Sequence, residues 1–185
     1  MNSTRNKIIT AAVRCFMNNR SATLEKIAEE AGVSRRTLHR YFENRKDLIE
    51  SCKNEMLGSC NKAMTEAYES DKDPIVKLRN MLFAAIEQGA NYSFVKRIYE
   101  RSNFSDLDRK KEFESDDVKL KWLNIINELQ KAKRINTELT APWIFNLFGS
   151  IIDTAIYAVE SGDIAKNDSN NFAWTSFKGA IGLKK

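Results

Sequence analysis

Apolar residues recur along this chain at spacings of three and four, the period of a helix with one buried stripe, and no stretch alternates as a strand would. Ile8, Ile9, Ala12, Cys15 and Phe16 form the inner face of a first helix over about Thr4–Met17. Leu24, Ile27, Ala28 and Ala31 mark a second. Its N-cap is Thr23, and it stops at Gly32, where a left-handed residue costs little. A second N-cap, Ser34, opens a third helix with Leu38 and Phe42 four apart on its apolar side. From Arg45 to about Ser70 the stripe Leu48, Ile49, Cys52, Met56, Cys60, Ala63, Met64, Ala67 runs without a breaker. It predicts one helix roughly 37 Å long.

Asp73-Pro74 restarts the chain with an N-cap and a proline in the first turn. Ile75, Leu78, Leu82, Phe83 and Ile86 carry that helix to about Gln88. Ser93 opens a shorter helix holding Phe94, Ile98 and Tyr99, and the charged stretch Phe104–Glu114 is expected to be irregular. Ser115 opens the next helix, with Asp116 and Asp117 at its positive end and Lys131, Lys133 and Arg134 at its negative end. Val118, Trp122, Ile125, Ile126 and Leu129 line its inner face. Thr140 and Pro142 begin a helix that is apolar nearly all round from Trp143 to Val159, as a helix buried on two faces would be. Gly162 ends it. Phe172, Ala173, Phe177, Ala180 and Ile181 mark a last helix. The pattern predicts an all-α chain of about nine helices.

Two short helices joined by a tight glycine turn make a helix-turn-helix, whose second helix enters the DNA major groove. The chemistry of Ala22–Leu48 agrees. Arg35, Arg36, Thr37, His39 and Arg40 place donors or potential donors on the outer side of the third helix. Arginine bonds guanine O6 and N7 bidentately, and threonine meets a base edge or a thymine methyl. The hydroxyl of Tyr41 suits a phosphate. Asn44 caps the fourth helix, which opens with Arg45 and Lys46, so amides and side chains together favour a phosphate there.

The stretch resembles the DNA-binding domain of the tetracycline-repressor (TetR) family of bacterial regulators. The matching residues are Thr23-Leu24, Ile27-Ala28, Ala31-Gly32-Val33-Ser34, Thr37-Leu38, Tyr41-Phe42, Arg45 and Leu48, with Ile8-Ile9, Ala11-Ala12 and Cys15-Phe16 upstream. The resemblance covers roughly the first fifty residues. The rest of the chain shares only length and helical character with the family. His39 stands where the family usually has tyrosine, and Arg45 where it has lysine. The connection between Phe16 and Thr23 is shorter than usual, and Asn18 or Asn19 is expected to take a left-handed turn conformation there. The resemblance implies a DNA-binding domain over residues 1–48, and a ligand-binding and dimerisation domain over residues 49–185. It also implies a long helix that passes a ligand signal between them as a tilt.

Charge sharpens this picture. Of the net charge of +5, residues 1–50 hold ten Lys/Arg against six Asp/Glu, and the remaining 135 residues are nearly balanced. The excess sits where a polyanion would bind. The DNA-binding candidates are Thr23, Ser34, Arg35, Arg36, Thr37, His39, Arg40, Tyr41, Arg45 and Lys46, with Arg35, Arg36, Thr37 and Arg40 reading bases and Thr23, Tyr41, Arg45 and Lys46 clamping phosphates. Glu25, Glu29 and Glu30 read as a solvated helix face. The sequence has a single histidine and no glycine-rich phosphate loop, so no metal site, catalytic triad or cofactor is expected. Three cysteines without framework spacing fit a reducing interior. With no signal peptide and no apolar run approaching 18 residues, a cytoplasmic protein without a membrane span is expected.

In the second domain Phe83, Tyr99, Trp122 and Phe148 are the candidates for lining a small-molecule effector pocket. The two C-terminal helices are the expected homodimer interface, paired with their symmetry mates as a four-helix bundle. The function expected is a ligand-responsive repressor on a palindromic operator. An architectural or partner-controlled DNA-binding protein with no small-molecule site is the alternative.

Overall fold

The computed structural model describes residues 3–19, 21–89, 91 and 117–184. The helix expected from Ser93, with Tyr99, and the Ser115 cap lie outside the described residues. Among those described there are eight α-helices, one 3-10 turn and no strand. The elements are α1 (Thr4–Asn18), α2 (Leu24–Glu30), α3 (Arg35–Tyr41), α4 (Arg45–Glu69), α5 (Pro74–Glu87), α6 (Asp117–Lys131), α7 (Ala141–Glu160), the 3-10 turn (Lys166–Asp168) and α8 (Ser169–Ala180). The described chain divides into two compact units, parting between Gly58 and Ser59 within α4.

The first unit is a small helical cluster with its own core. Ile8, Ile9, Ala12, Val13 and Phe16 of α1 pack with Ala22, Ile27, Ala28, Leu38, Phe42, Leu48 and Cys52. Local chemistry fixes the ends of each helix. Ser3 caps α1 by accepting the Asn6 amide at 3.3 Å. The left-handed turn expected at Asn18 or Asn19 is not formed. Asn18 is the last helical residue, and Asn19 is extended, with φ −143°. Its side-chain oxygen accepts the Ser21 amide at 2.9 Å, and its carbonyl accepts that of Ala22. An asparagine that satisfies a turn through its side chain has no need of positive φ. Gly32 does adopt it, at φ +66°. The Gly32 amide bonds the Glu29 carbonyl and the Val33 amide that of Ala28, which closes α2 in a Schellman motif.

The second unit is built on α5–α8 and the later part of α4. Its core joins Leu78, Met81 and Leu82 of α5, Trp122, Ile125, Ile126 and Leu129 of α6, Ile144, Phe148 and Ile152 of α7, and Ala173 and Phe177 of α8. Asp73 caps α5, accepting from the Ile75 and Val76 amides at 2.7 and 3.3 Å. The cationic end expected for α6 is cut short. The helix stops at Lys131, and Lys133 turns left-handed at φ +54°. The amides of Lys133 and Arg134 bond back to Gln130 and Leu129, another Schellman closure without glycine. The chain then runs beside its own C-terminal segment. Asn136 donates to the Ile181 carbonyl and Lys184 to that of Arg134, both at 2.9 Å, and Ile135 is buried there.

The apolar breadth of α7 is used in an unexpected way. Ile144, Phe148, Ile152 and Ala155 are buried, while Trp143 and Tyr157 on the same helix are 56% and 69% exposed. Among the described residues only one of the two expected burials occurs. By length and composition this helix is apolar enough to cross a membrane. Its apolar run is not continuous. Asn146, Ser150 and Thr154 break the run but weigh little in an average.

Candidate nucleic-acid interface

The sequence of α2, turn and α3 brings all ten DNA-binding candidates into the first unit. Thr23 caps α2, its hydroxyl accepting the Lys26 amide at 3.2 Å. Ser34 caps α3, accepting the Thr37 amide at 3.0 Å, and the Ser34 and Thr37 hydroxyls lie 2.9 Å apart. Leu38 and Phe42 are fully buried and hold α3 against the core, so Arg35, Arg36, His39 and Arg40 are left exposed. Thr37 is half-buried.

The cations differ in how they are held. The Nη1 of Arg35 pairs with Glu25 Oε1 at 2.9 Å. The guanidinium of Arg40 lies over the Tyr41 ring, 5.2 Å from its centroid, with Nη2 3.4 Å from the phenol oxygen. Hydrogen bonds from Arg40 and then Thr4 pull the Tyr41 phenol below its usual range. Arg45 covers the Phe16 ring at 5.0 Å. Arg36 and Lys46 are exposed with no side-chain partner among the described residues. Arg5, on the N-terminal arm, lies 5.7 Å from the Phe42 ring and pairs with Glu55 at 3.6 Å.

Sequence reasoning missed Glu25. The three glutamates of α2 are exposed, as expected, and each also pairs with a cation: Glu25 with Arg35, Glu29 with Lys26 and Glu30 with Arg14. No local signal marks the Glu25–Arg35 contact, since the turn geometry brings the two helices together.

The effector candidates belong to the second unit. Trp122 and Phe148 are core residues, 1% and 4% exposed, and Phe83 is packed half-buried against the core they belong to. The Trp122 ring meets Phe145 edge-on at 5.1 Å and Phe148 at 5.6 Å, and Phe148 meets Phe177 at 5.3 Å. Trp122 Nε1 is buried without a hydrogen-bond partner among the described residues. An open groove of about 700 Å3 lies elsewhere, lined by residues including Ile86, Glu87, Ile156, Glu160 and Asn170. Tyr99 lies outside the described residues. Among these residues no group of three or more His, Cys, Asp or Glu is placed to hold a metal ion.

A capped helix, a left-handed glycine turn and a second helix with an exposed arginine-rich N-terminus define a helix-turn-helix DNA-binding domain. Residues 8–52 match the family model of bacterial regulatory proteins, tetR family. Over those residues the chain carries the DNA-binding domain of tetR-family regulators. It is 26% identical over 159 residues to the HTH-type transcriptional repressor LfrR of Mycolicibacterium smegmatis, covering 86% of this chain and 80% of that protein. The crystal structure of the TetR-like regulator LfrR from Mycobacterium smegmatis in complex with proflavine is similar, with a TM-score of 0.69 and 24% identity over 96% of each chain. That of the ketosteroid transcriptional regulator KstR2 of Mycobacterium tuberculosis gives 0.74 and 17%, over 100% of this chain and 97% of that one. These structural likenesses carry the fold.

Proposed function

We propose that this regulator is a cytoplasmic, homodimeric, ligand-responsive repressor that reads a palindromic operator. The observation that carries the reading is the N-terminus of α3, where Arg35 and Arg36 stand exposed beyond a buried Leu38. The N-terminal residues of a recognition helix are those that meet base edges. Arg40 and Thr37 complete the reading side, and Thr23, Tyr41, Arg45 and Lys46 hold phosphates, with Ser34 and His39 beside them. Each phosphate neutralised makes binding more salt-sensitive, while each bidentate base contact adds sequence preference.

The exposed Trp143, Tyr157 and Phe172 support a second copy packing on α7 and α8, and we assign the apolar outer side of α7 to that partner rather than to lipid. The proflavine complex of LfrR supports a planar aromatic effector in the second unit. The unpartnered Trp122 indole supports an effector that offers an acceptor there. A ligand that induces must favour the non-binding state by the free energy it shifts. With α4 contributing to both cores, it is the element we assign to carry that shift. The reading assigns no catalytic residue and no cofactor.

Selection of bound sequences from a random DNA pool with the purified full-length protein, near physiological salt, tests this. An enriched palindrome is the expected result. Salt-sensitive binding with no motif would overturn it and leave an architectural DNA-binding protein.

A further inference from the structure

Glu25 stands on a surface that, by charge, should repel it. A carboxylate beside DNA raises the cost of every nearby phosphate, so its presence there calls for a compensating task. Its Oε1 lies 2.9 Å from Nη1 of Arg35, the first residue of α3. The carboxylate is itself held, by a hydrogen bond to its own backbone amide and then by the Thr23 hydroxyl, which keep its pKa below the usual range. Arg35 and His39 both act on it electrostatically, and they lie four apart on one face of α3. The adjacent Arg36 has no such partner among the described residues.

The pair does little for the fold. The side chains are 66% and 53% exposed, and exposed ion pairs contribute little to stability. Its effect on an arginine at a DNA surface is larger. A free guanidinium on a flexible stem finds a phosphate on any sequence, and such contacts carry no base information. A guanidinium with one nitrogen on a carboxylate keeps its other donors and has less rotamer freedom left to lose.

We propose that Glu25 is a specificity-determining, positioning residue, which aims the Arg35 guanidinium at a guanine of the operator and withholds it from phosphates. The proposal rests on the operator-reading function above. The carboxylate acts twice: it orders the fork that fits O6 and N7, and it penalises sequence-blind contacts.

The test compares wild-type full-length protein with Glu25→Gln, Glu25→Asp and Arg35→Ala. Each is put through random-pool selection, then titrated with the enriched duplex, its single-base variants and random DNA at several salt concentrations. Glu25→Gln is expected to lose about tenfold of its preference for guanine at one position. It should also bind random DNA more tightly, with a salt slope steeper by about 0.9 as Arg35 turns to a phosphate. Glu25→Asp keeps the charge but not the reach, and should lose the base preference without gaining on random DNA. Arg35→Ala should lose preference at the same position. A merely structural role would lower specific and random binding together, together with the thermal midpoint, and would overturn the proposal. So would a wild-type motif that Glu25→Gln leaves unchanged. If wild type enriches no motif, the operator-reading function itself falls, and this role with it.

Discussion

Asn44 and Asp47 close the first turn of α4 from both sides. The Asp47 amide donates to Asn44 Oδ1 at 3.0 Å, and Asp47 Oδ2 accepts the Glu43 amide at 3.0 Å. Two amides that the helix cannot satisfy are thereby bonded, at the turn that presents Arg45 and Lys46. Asn44→Ala is expected to cost about 1 kcal/mol of stability. Urea unfolding should show a lower midpoint with unchanged slope. Binding to random DNA should weaken less than in Lys46→Ala, because the cap orders the site while the lysine supplies the charge.

Arg36 is exposed with no partner among the described residues, so its removal leaves none of them to repair. Arg36→Ala is expected to cost about 1–3 kcal/mol on an operator and to relax preference at one base position, if it meets a base edge. Equal loss on operator and random DNA would make it a phosphate contact instead. Titration of both duplexes decides.

Two left-handed residues make opposite predictions. No atom crowds a Cβ built on Gly32, so Gly32→Ala is a test of conformation alone, at φ +66°. It should destabilise by about 1–2 kcal/mol. Lys133 already carries that strain at φ +54°, and Lys133→Gly should be neutral or stabilising by up to about 1 kcal/mol, since the gain is partly offset by glycine's greater freedom when unfolded. Thermal and urea unfolding of the two variants should move in opposite directions.

Trp143, Tyr157 and Phe172 are the large apolar side chains that α7 and α8 leave in solvent, at 56%, 69% and 51% exposure. Tyr157→Arg combined with Phe172→Arg should convert a dimer to a monomer in sedimentation velocity, with helicity unchanged. Binding to a palindrome should then weaken far more than binding to a half-site. Unchanged sedimentation would sink the assignment of this face to a second copy.

Cys52 gives a pH dependence. Burial pushes its thiol from 9.0 up to about 12. The unfolded chain ionises this thiol from about pH 9 while the folded chain does not, so the stability it contributes is full below that pH and is lost as pH rises towards 12. Cys52→Ala should be less stable than wild type at neutral pH, with a difference that shrinks towards about pH 11. Cys60, pushed up to about 11 by the same cause, should likewise resist alkylation in the folded state. Burial raises the Cys15 thiol too, but by less, and mass spectrometry after iodoacetamide treatment should find it modified first.

Local chemistry determined most of the helices. Caps at Thr23, Ser34, Asp73 and Thr140 and left-handed glycines at 32 and 162 act within a few residues of themselves, so the order of side chains along the chain is enough to place them. The cationic first turn of α3 is legible for the same reason. Asn19 shows where local reasoning stops, because an asparagine can satisfy a turn either through its backbone or through its side chain, and the packing around it chose the side chain. Only tertiary structure separated the arginines of α3, which are alike in sequence, by bringing Glu25 of α2 to Arg35 and no described residue to Arg36. It likewise divided the apolar surface of α7 into a buried stripe and an exposed one, since periodicity counts apolar faces and cannot say which neighbour covers them.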